Sequence, residues 1–524
     1  MKVFKNYILI AGLFIMAFTA CEDNLDIPKH GNLGGMELFY QTDDDAMQAL
    51  AAVYSSWRDT YSNLRFSKNA LSDDVWAGGG MHGDNTDIEK LNEYTFSIEH
   101  GMISSLYSGM YSLIYNANLI LDNIESNSDI KNRVIAEAKF FRAWAHFELV
   151  TLWGTAPAVD HVLSPSEYKQ SPGTPENTWA FIEKDLTEAI NSGKLPSKTS
   201  VNDQGTGVRI TKETAQALLG KAYVFQGKWG EAATTLDLVI NSGKYKLYDG
   251  DYGNILRKVA NYCCESMLET NNRYDPNNLF FEMSSLMEGW RFDSFNVTGV
   301  DPIYSDIATD AGYGFFSPRK VLYDAFVARE GAEGVRLNKT IVTYDFLRDK
   351  IKIQMIAGKA LTGNEGYFFW KNRILKSESV LSIPGFRIFQ ASNYRFMRYA
   401  EVLLLAAEAQ LKNNNVSKAT QYVNEIRQRA GLTPLGSITM DDIKTEKRLE
   451  LCLEGIRYQD LVRWGDAPAV LGNQGKEVYD FNGSSAIIAV RNEKCGFQAG
   501  RNELLPIPSR EMLVNPNMVQ NVGW

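Results

Sequence analysis

The chain has 524 residues, 44% hydrophobic and 22% charged, so it is a globular protein with material for a large core and for two or three domains. Its formal net charge is −9, about −11 without the two lysines of its first twenty residues, and no basic run offsets this, which argues against a nucleic-acid partner. Five cysteines, with Cys263 and Cys264 adjacent, give neither a metal-ligand spacing nor a disulfide framework, and leave open one bridge among Cys263, Cys264, Cys452 and Cys495.

At the amino terminus Lys2 and Lys5 precede an apolar run from Tyr7 to Phe18, then Thr19 and Ala20, which reads as a signal peptide over residues 1–20. The run is too short to span a bilayer. Cys21 directly after it resembles the bacterial lipobox, so Cys21 is the expected lipidation site; acyl chains at about 0.8 kcal/mol per buried methylene would anchor the protein permanently. An ordinary signal peptide with a free Cys21 is the alternative. Residues 21–42 are polar, with Pro28 and several glycines, and read as a tether or extended arm.

Residues 43–249 read as a helical scaffold interrupted by a loop insertion at about 60–100. Its first, weaker helix pair runs over Asp43–Trp57 and Ile103–Ile124. Between them Leu71–Asn85, L-S-D-D-V-W-A-G-G-G-M-H-G-D-N, offers a flat ring beside polar groups in a glycine-rich loop, as sugar capture requires. Trp76 is the candidate platform, with Asp73, Asp74 and Asn85 as hydrogen-bonding partners; the plainer reading packs Trp76 under its own loop. A second pair covers Asn132–Trp153 and Pro175–Ile190. A third runs from Thr211 to Lys244 and breaks at Gly227, with Leu219, Gly220, Tyr223, Ala232, Leu236 and Val239 at tetratricopeptide spacing. One such hairpin cannot bury its own apolar face, so neighbours must stack on it.

From 250 to 393 the helical pattern fails, and only short β-like runs stand out, at Leu279–Met283 and Lys339–Tyr344. A loop region this long must be structured or functional. Its candidate patch is M-E-G-W-R-F-D-S-F-N, Met287–Asn296, followed by Tyr304 and by G-Y-G-F-F at Gly312–Phe316. Trp290 and Tyr313 would stack on a ligand, Tyr304 and Phe315 belong to the same patch, and Arg291 would meet a hydroxyl or carboxylate. The plainer reading makes this aromatic cluster core.

Residues 394–524 return to the scaffold. Arg398–Arg429 forms a fourth pair, turning at Asn413–Asn415. Glu446–Gly465, E-K-R-L-E-L-C-L-E-G-I-R-Y-Q-D-L-V-R-W-G, reads as one amphipathic helix with Leu449, Cys452, Leu453, Ile456 and Leu461 on its apolar side. Arg448, Glu450, Glu454, Arg457, Asp460 and Arg463 stand three and four apart, a spacing for ion pairs that hold helices in register, and Trp464 reads as a packed anchor at the helix end.

That segment closely resembles the E-R-R-x-E-L-x-F-E-G-x-R-x-x-D-L-x-R-W-G stretch of the SusD/RagB family, surface lipoproteins that capture nutrients for outer-membrane transporters in Bacteroidetes. A-E-A-K-F-F-R-A-W-A-H-F-E-L-V-T-L-W-G-T-A-P at Ala136–Pro157, R-Y-A-E-V-L-L-L-A-A-E-A at Arg398–Ala409 and L-L-P-I-P-S-R-E-M-L-V-N-P-N-M-V-Q-N at Leu504–Asn521 resemble further family segments, in the family's order. Glu22 and Asp23 resemble the signal that exports such lipoproteins to the outer surface. The resemblance implies a mostly α fold of about four tetratricopeptide-type hairpins with a loop-rich, partly β ligand-binding insertion. It also implies a non-catalytic protein that binds an oligosaccharide and hands it to a SusC-like TonB-dependent transporter. The RagB branch captures peptides, and that ligand class stays open, as does a helical-repeat scaffold that binds protein.

Nothing resembles a nucleophile elbow, a zinc helix, a phosphate loop or a dinucleotide fingerprint, and no cofactor is implied. The adjacent carboxylates Asp73 and Asp74, or Glu282 with Glu288, are the only pairs that invite glycosidase chemistry, and both read more simply as solvated. Calcium at Asp73–Asp74 is left open.

Overall fold

A computed structural model describes residues 39–272, 283–308, 311–383, 386–389 and 392–524. The signal peptide, Cys21, most of the arm, Glu282 and residues 279–282 lie outside them. Among the described residues the helices of eight residues or more are α1 Asp43–Ala70, α2 Thr86–Glu93, α3 Gly101–Asn123, α4 Asp129–Trp153, α5 Pro175–Asn191, α6 Lys212–Phe225, α7 Trp229–Asn241, α8 Lys320–Glu330, α9 Tyr399–Lys412, α10 Val416–Arg429, α11 Met440–Leu451 and α12 Arg457–Trp464.

Local chemistry starts these helices where the sequence places them. Thr42 and Asp45 close a capping box ahead of three acidic residues that face the positive end of the α1 dipole. Ser128, Thr174 and Thr211 cap α4, α5 and α6 in the same way. Gly227 turns α6 into α7 at φ +71°. Gly220 lets these two helices touch: a Cβ there would lie 2.5 Å from the Leu236 side chain.

The four expected pairs are α1/α3, α4/α5, α6/α7 and α9/α10, but α1 runs past the expected Trp57 to Ala70 and α2 covers Thr86–Glu93, so part of the stretch expected as loop at about 60–100 is helical. The pairs stack in chain order, α3 on α4, α5 on α6 and α7 on α9, so each pair buries the apolar face that its neighbour leaves open. One continuous core runs through them and includes Trp57, Trp144, Leu219, Leu236, Leu404 and Ile426.

The segment expected as one helix over Glu446–Gly465 is two, α11 and α12, with a break at Cys452–Ile456. Leu453 and Gly455 adopt φ of +68° and +73°. The peptide groups freed by the break are taken up by side chains of α1. Asn69 donates to the Leu453 carbonyl at 2.9 Å and accepts from the Gly455 N–H at 2.9 Å, while Arg65 donates to Leu453 at 3.1 Å. The break also turns Glu454 towards the guanidinium that holds Glu450. That guanidinium is Arg398, fully buried, which donates to Glu454 at 2.7 Å and to Glu450 at 3.1 Å and pairs with Glu265. The charges of this segment mostly reach other elements: Arg448 and Arg457 to Asp73 and Asp74, Arg463 to Glu408. Arg463–Asp460, at 2.8 Å, lies within α12. Trp464 anchors the end of α12, its Nε1 donating to Glu408 at 3.0 Å ahead of Gly465 at φ +77°.

The loop-rich part is pinned by short antiparallel pairs. β1 Ser266–Glu269 pairs with β8 Arg395–Arg398, β2 Phe295–Asn296 with β4 Gln354–Met355, β3 Ile341–Thr343 with β5 Tyr367–Phe369, and β6 Ser379–Ile383 with β7 Phe386–Phe389. Of the run Lys339–Tyr344 only Ile341–Thr343 is strand; Val335–Thr340 is helical. A small separate core of Phe295, Ile307, Val342, Leu347, Phe368 and Phe481 holds this region together. Phe481 comes from the hairpin of β9 Glu477–Phe481 and β10 Ala486–Arg491, which bonds back to Leu361. Cys263, Cys264, Cys452 and Cys495 are free and buried.

Candidate functional site

The two stretches singled out in the sequence meet. Residues 75–79 run antiparallel to residues 314–318: the Trp76 N–H donates to Ser317 at 2.9 Å, Phe316 to Ala77 at 3.0 Å and Gly79 to Gly314 at 3.0 Å. The glycines are required by this approach. Gly78 sits at φ +71°, and a Cβ there would stand 2.3 Å from the Gly314 carbonyl oxygen.

Several expected ligand contacts are instead interior. Trp76 is 1% exposed, donates its Nε1–H to Glu365 at 2.9 Å and carries the Arg319 guanidinium 4.1 Å from its ring, so it offers no face to a sugar. Asp73 and Asp74 are buried against α11 and α12. Arg448 reaches both at 2.8 Å, and Arg457 reaches Asp73 at 2.8 Å. Burial alone would raise Asp73; the guanidiniums of Arg448 and Arg457 hold its carboxyl down at about 2. Asp74 is pushed up by burial, against the pull of Arg448 and with the charge of Asp73 adding to the rise. Two carboxylates neutralised by arginines suit neither a sugar hydroxyl, nor calcium, nor a glycosidase pair. Asn85 caps α2, its Oδ1 accepting from the Ile88 N–H at 3.2 Å, and Phe315 is 5% exposed in the core. Glu288 is buried, paired with Arg65 at 2.8 Å and accepting from Asn372 at 2.9 Å.

Trp290, Arg291, Tyr304 and Tyr313 are half-buried. Trp290 is steadied by its Nε1–H to the Phe369 carbonyl at 3.2 Å and faces Trp370 at 6.3 Å between ring centroids. Trp370 in turn meets Tyr304 at 6.1 Å and Phe346 at 5.6 Å, both edge-on. Trp290, Tyr304, Phe346 and Trp370 thus form a half-exposed aromatic cluster over the small core of the insertion. Trp370 and Phe346 escaped the sequence reading: Tyr367–Trp370 is an unbroken aromatic run, and its pattern alone does not reveal that Phe368 and Phe369 turn inward while Trp370 does not. Arg291 is held by a fork to Asp293, at 2.6 and 2.9 Å. Tyr313 packs apart from this cluster, against the small group of Leu286, Ala308, Ala311 and Ile374. Among the described residues no group of three or more His, Cys, Asp or Glu side chains could hold a metal ion, and no helix is long and apolar enough to cross a membrane.

Comparison with known proteins places this architecture. The model of the SusD family matches residues 385–524, and the model described as starch-binding, associating with the outer membrane, matches residues 37–224. SusD-like protein P2 of Formosa agariphila is 26% identical over 99% of both chains. A SusD-like protein of Bacteroides ovatus is 25% identical over 88% of this chain and 83% of its own. Among solved structures, a laminarin-binding SusD-like protein superposes with a TM-score of 0.77 at 29% identity, covering 93% of this chain and 100% of that one. Surface glycan-binding protein A of Bacteroides thetaiotaomicron, solved with laminarihexaose, shares the fold, with a TM-score of 0.71 at 22% identity over 92% of this chain and all of the other.

Proposed function

We propose that this chain, which belongs to the SusD family, captures an oligosaccharide at the cell surface through the aromatic cluster of Trp290, Tyr304, Phe346 and Trp370 and passes it to a SusC-like TonB-dependent transporter. The protein is a binding protein and not an enzyme, in keeping with its family. The observation that carries the site is the cluster itself. Four large rings stay half-exposed, where burial would be the ordinary fate of such side chains, and flat apolar faces are what the C–H side of a sugar requires. Residues 250–393, with the hairpin of β9 and β10 joined to them, form the ligand-binding part in this reading, and the helical pairs carry it.

The leader and Cys21 support an acyl anchor in the outer membrane, and Glu22 and Asp23 an outward orientation. A tethered protein would hold captured glycan at the mouth of its transporter, where handing over needs no free diffusion. Laminarin, named for the structure at 29% identity, is the first ligand to try. Isothermal calorimetry of the mature protein should show binding that Trp290→Ala and Trp370→Ala each weaken at least tenfold with little change in Tm. Binding retained in both variants would remove the site; binding of peptides and of no glycan in the panel would move the protein to the peptide-capturing branch.

A further inference from the structure

Beside the aromatic cluster lies a narrow cleft of about 50 Å³, lined among others by Arg65, Arg257, Glu288, Arg373, Glu378 and Arg395. Its rim is half-exposed at Leu256, Asn372, Arg373, Leu375 and Glu378, and its floor is buried at Arg65, Arg257, Glu288 and Arg395. That volume admits a few atoms, such as a carboxylate or sulfate group, and no sugar ring.

Among the described residues the charges of this cleft do not balance. Arg65 pairs with Glu288 at 2.8 Å, Arg257 with Glu378 at 2.6 Å and Arg395 with Glu269 at 3.4 Å. Glu454, the remaining carboxylate of the lining, is taken by Arg398 at 2.7 Å and Lys371 at 2.8 Å. Arg373 has no ion-pair partner among the described residues; it donates to the carbonyl oxygens of Trp370 at 2.9 Å and of Gly253 at 3.4 Å. The nearest other carboxylates are committed elsewhere, Asp251 to Lys339 at 2.7 Å and Asp306 to the hydroxyl and N–H of Ser377. Burial, and then the charge of Arg257, bring Arg373 down to about 10, against the pull of Glu378, Asp251 and Asp306. Arg257 is 6% exposed, and its Nε has no hydrogen-bond acceptor among the described residues. A buried charged donor without an acceptor is costly unless something else supplies one.

Arg373 also ties this cleft to the aromatic cluster, since its guanidinium lies 4.4 Å from the centroid of Trp370. From this we infer that the cleft is a subsite for an anionic substituent, a uronate carboxylate or a sulfate ester, on the glycan stacked against Trp370, with Arg373 as its counter-charge. The inference rests on the proposed glycan site and narrows its ligand class to acidic glycans. A single excess guanidinium on a partly dry rim matches one such substituent, and its strength should fall as salt rises.

The test compares β-glucan oligosaccharides of one length, neutral or oxidised at C6 to glucuronate, against the mature protein at low salt, with inorganic sulfate alone as a third titrant. The oxidised oligosaccharide should bind at least tenfold tighter than the neutral one, Arg373→Gln should abolish that preference while leaving neutral binding within twofold, and Arg373→Lys should restore part of it. Neutral binding with no preference for the acidic oligosaccharide overturns this inference and leaves the glycan site standing. A response to inorganic sulfate alone, lost in Arg373→Gln but with no gain for the acidic oligosaccharide, also overturns it, as a site for free anions. No glycan binding of any kind brings down the proposed function itself.

Discussion

Replacing Arg398 with methionine tests whether the charge network behind the site is a structural hub. The side chain is fully buried and donates to Glu454 from two nitrogens at 2.7 Å, to the Glu450 carboxylate at 3.1 Å and to the Glu450 carbonyl at 3.0 Å, besides pairing with Glu265. Methionine fills much of the volume and removes the cation. Glu454 then keeps Lys371 at 2.8 Å, Glu450 keeps Arg429 and Arg336, and Glu265 keeps Arg429, so no carboxylate is stranded alone. The expected loss is therefore that of one broken buried pair, about 3–5 kcal/mol, and not a multiple of it. The acid limb carries the sharper signature. Burial alone would raise both glutamates, but Arg429, Arg398 and Arg336 around Glu450, and Arg398 with Lys371 around Glu454, hold both near 2, below the ordinary 4.5. Depressed carboxyls contribute stability that is complete above the ordinary value and lost as pH falls towards 2. Without Arg398 their folded-state values rise towards 4.5, so this contribution is smaller and is exhausted at higher pH, and in the less stable variant the acid midpoint should move up by about one unit. Denaturant titration at pH 7 and an acid titration followed by circular dichroism measure both. A loss under about 1 kcal/mol with an unmoved acid midpoint, the behaviour of an exposed pair, would refute the hub.

The loop elements make two further predictions. Trp76→Ala should destabilise the protein by about 3–5 kcal/mol, because it empties a filled site beneath Arg319, so its denaturation midpoint should fall where that of Trp290→Ala does not. Gly78→Ala combines a left-handed backbone with a Cβ 2.3 Å from the Gly314 oxygen; about 1–3 kcal/mol of strain should appear as faster hydrogen exchange over residues 75–79 and 314–318.

How much of this was legible depended on whether the deciding partners were near in sequence. The four helix pairs were readable because their signal is local: apolar spacing, with a small residue such as Gly220 where two helices touch. The break at Cys452–Ile456 was not, because Leu453 and Ile456 keep the apolar spacing through it, and what stabilises it is Asn69, 386 residues before Gly455. Trp76 and Trp290 look alike as tryptophans in glycine-rich loops. Their fates diverge through Arg319 and Glu365 over the one and the Phe369 carbonyl beside the other, contacts that no local pattern announces. Trp370 was overlooked for the same reason, hidden in an aromatic run whose inward and outward members are set by the pairing of β3 with β5.

The segment that carries the family resemblance and the loops that carry the proposed ligand site are joined physically. Arg448 and Arg457, flanking the break between α11 and α12, grip Asp73 and Asp74. The Asp74 carbonyl accepts from the Arg319 N–H at 3.0 Å, and the strand-like run 75–79 lies along 314–318. Gly314 and Phe315 bond to the carbonyls of Gly289 and Met287, at 2.8 and 2.9 Å, on either side of which the chain continues to Trp290. Each link is a backbone contact or an ion pair to a buried carboxylate, so displacing Asp73 would strip Arg457 of its carboxylate and leave Arg448 with Asp74 alone, whereas replacing Trp290 or Trp370 alters a half-exposed ring and leaves that path intact. Under the proposed function, the aromatic identities can therefore change with the glycan while the clamp that aims them stays as it is, and one fold can serve many ligands.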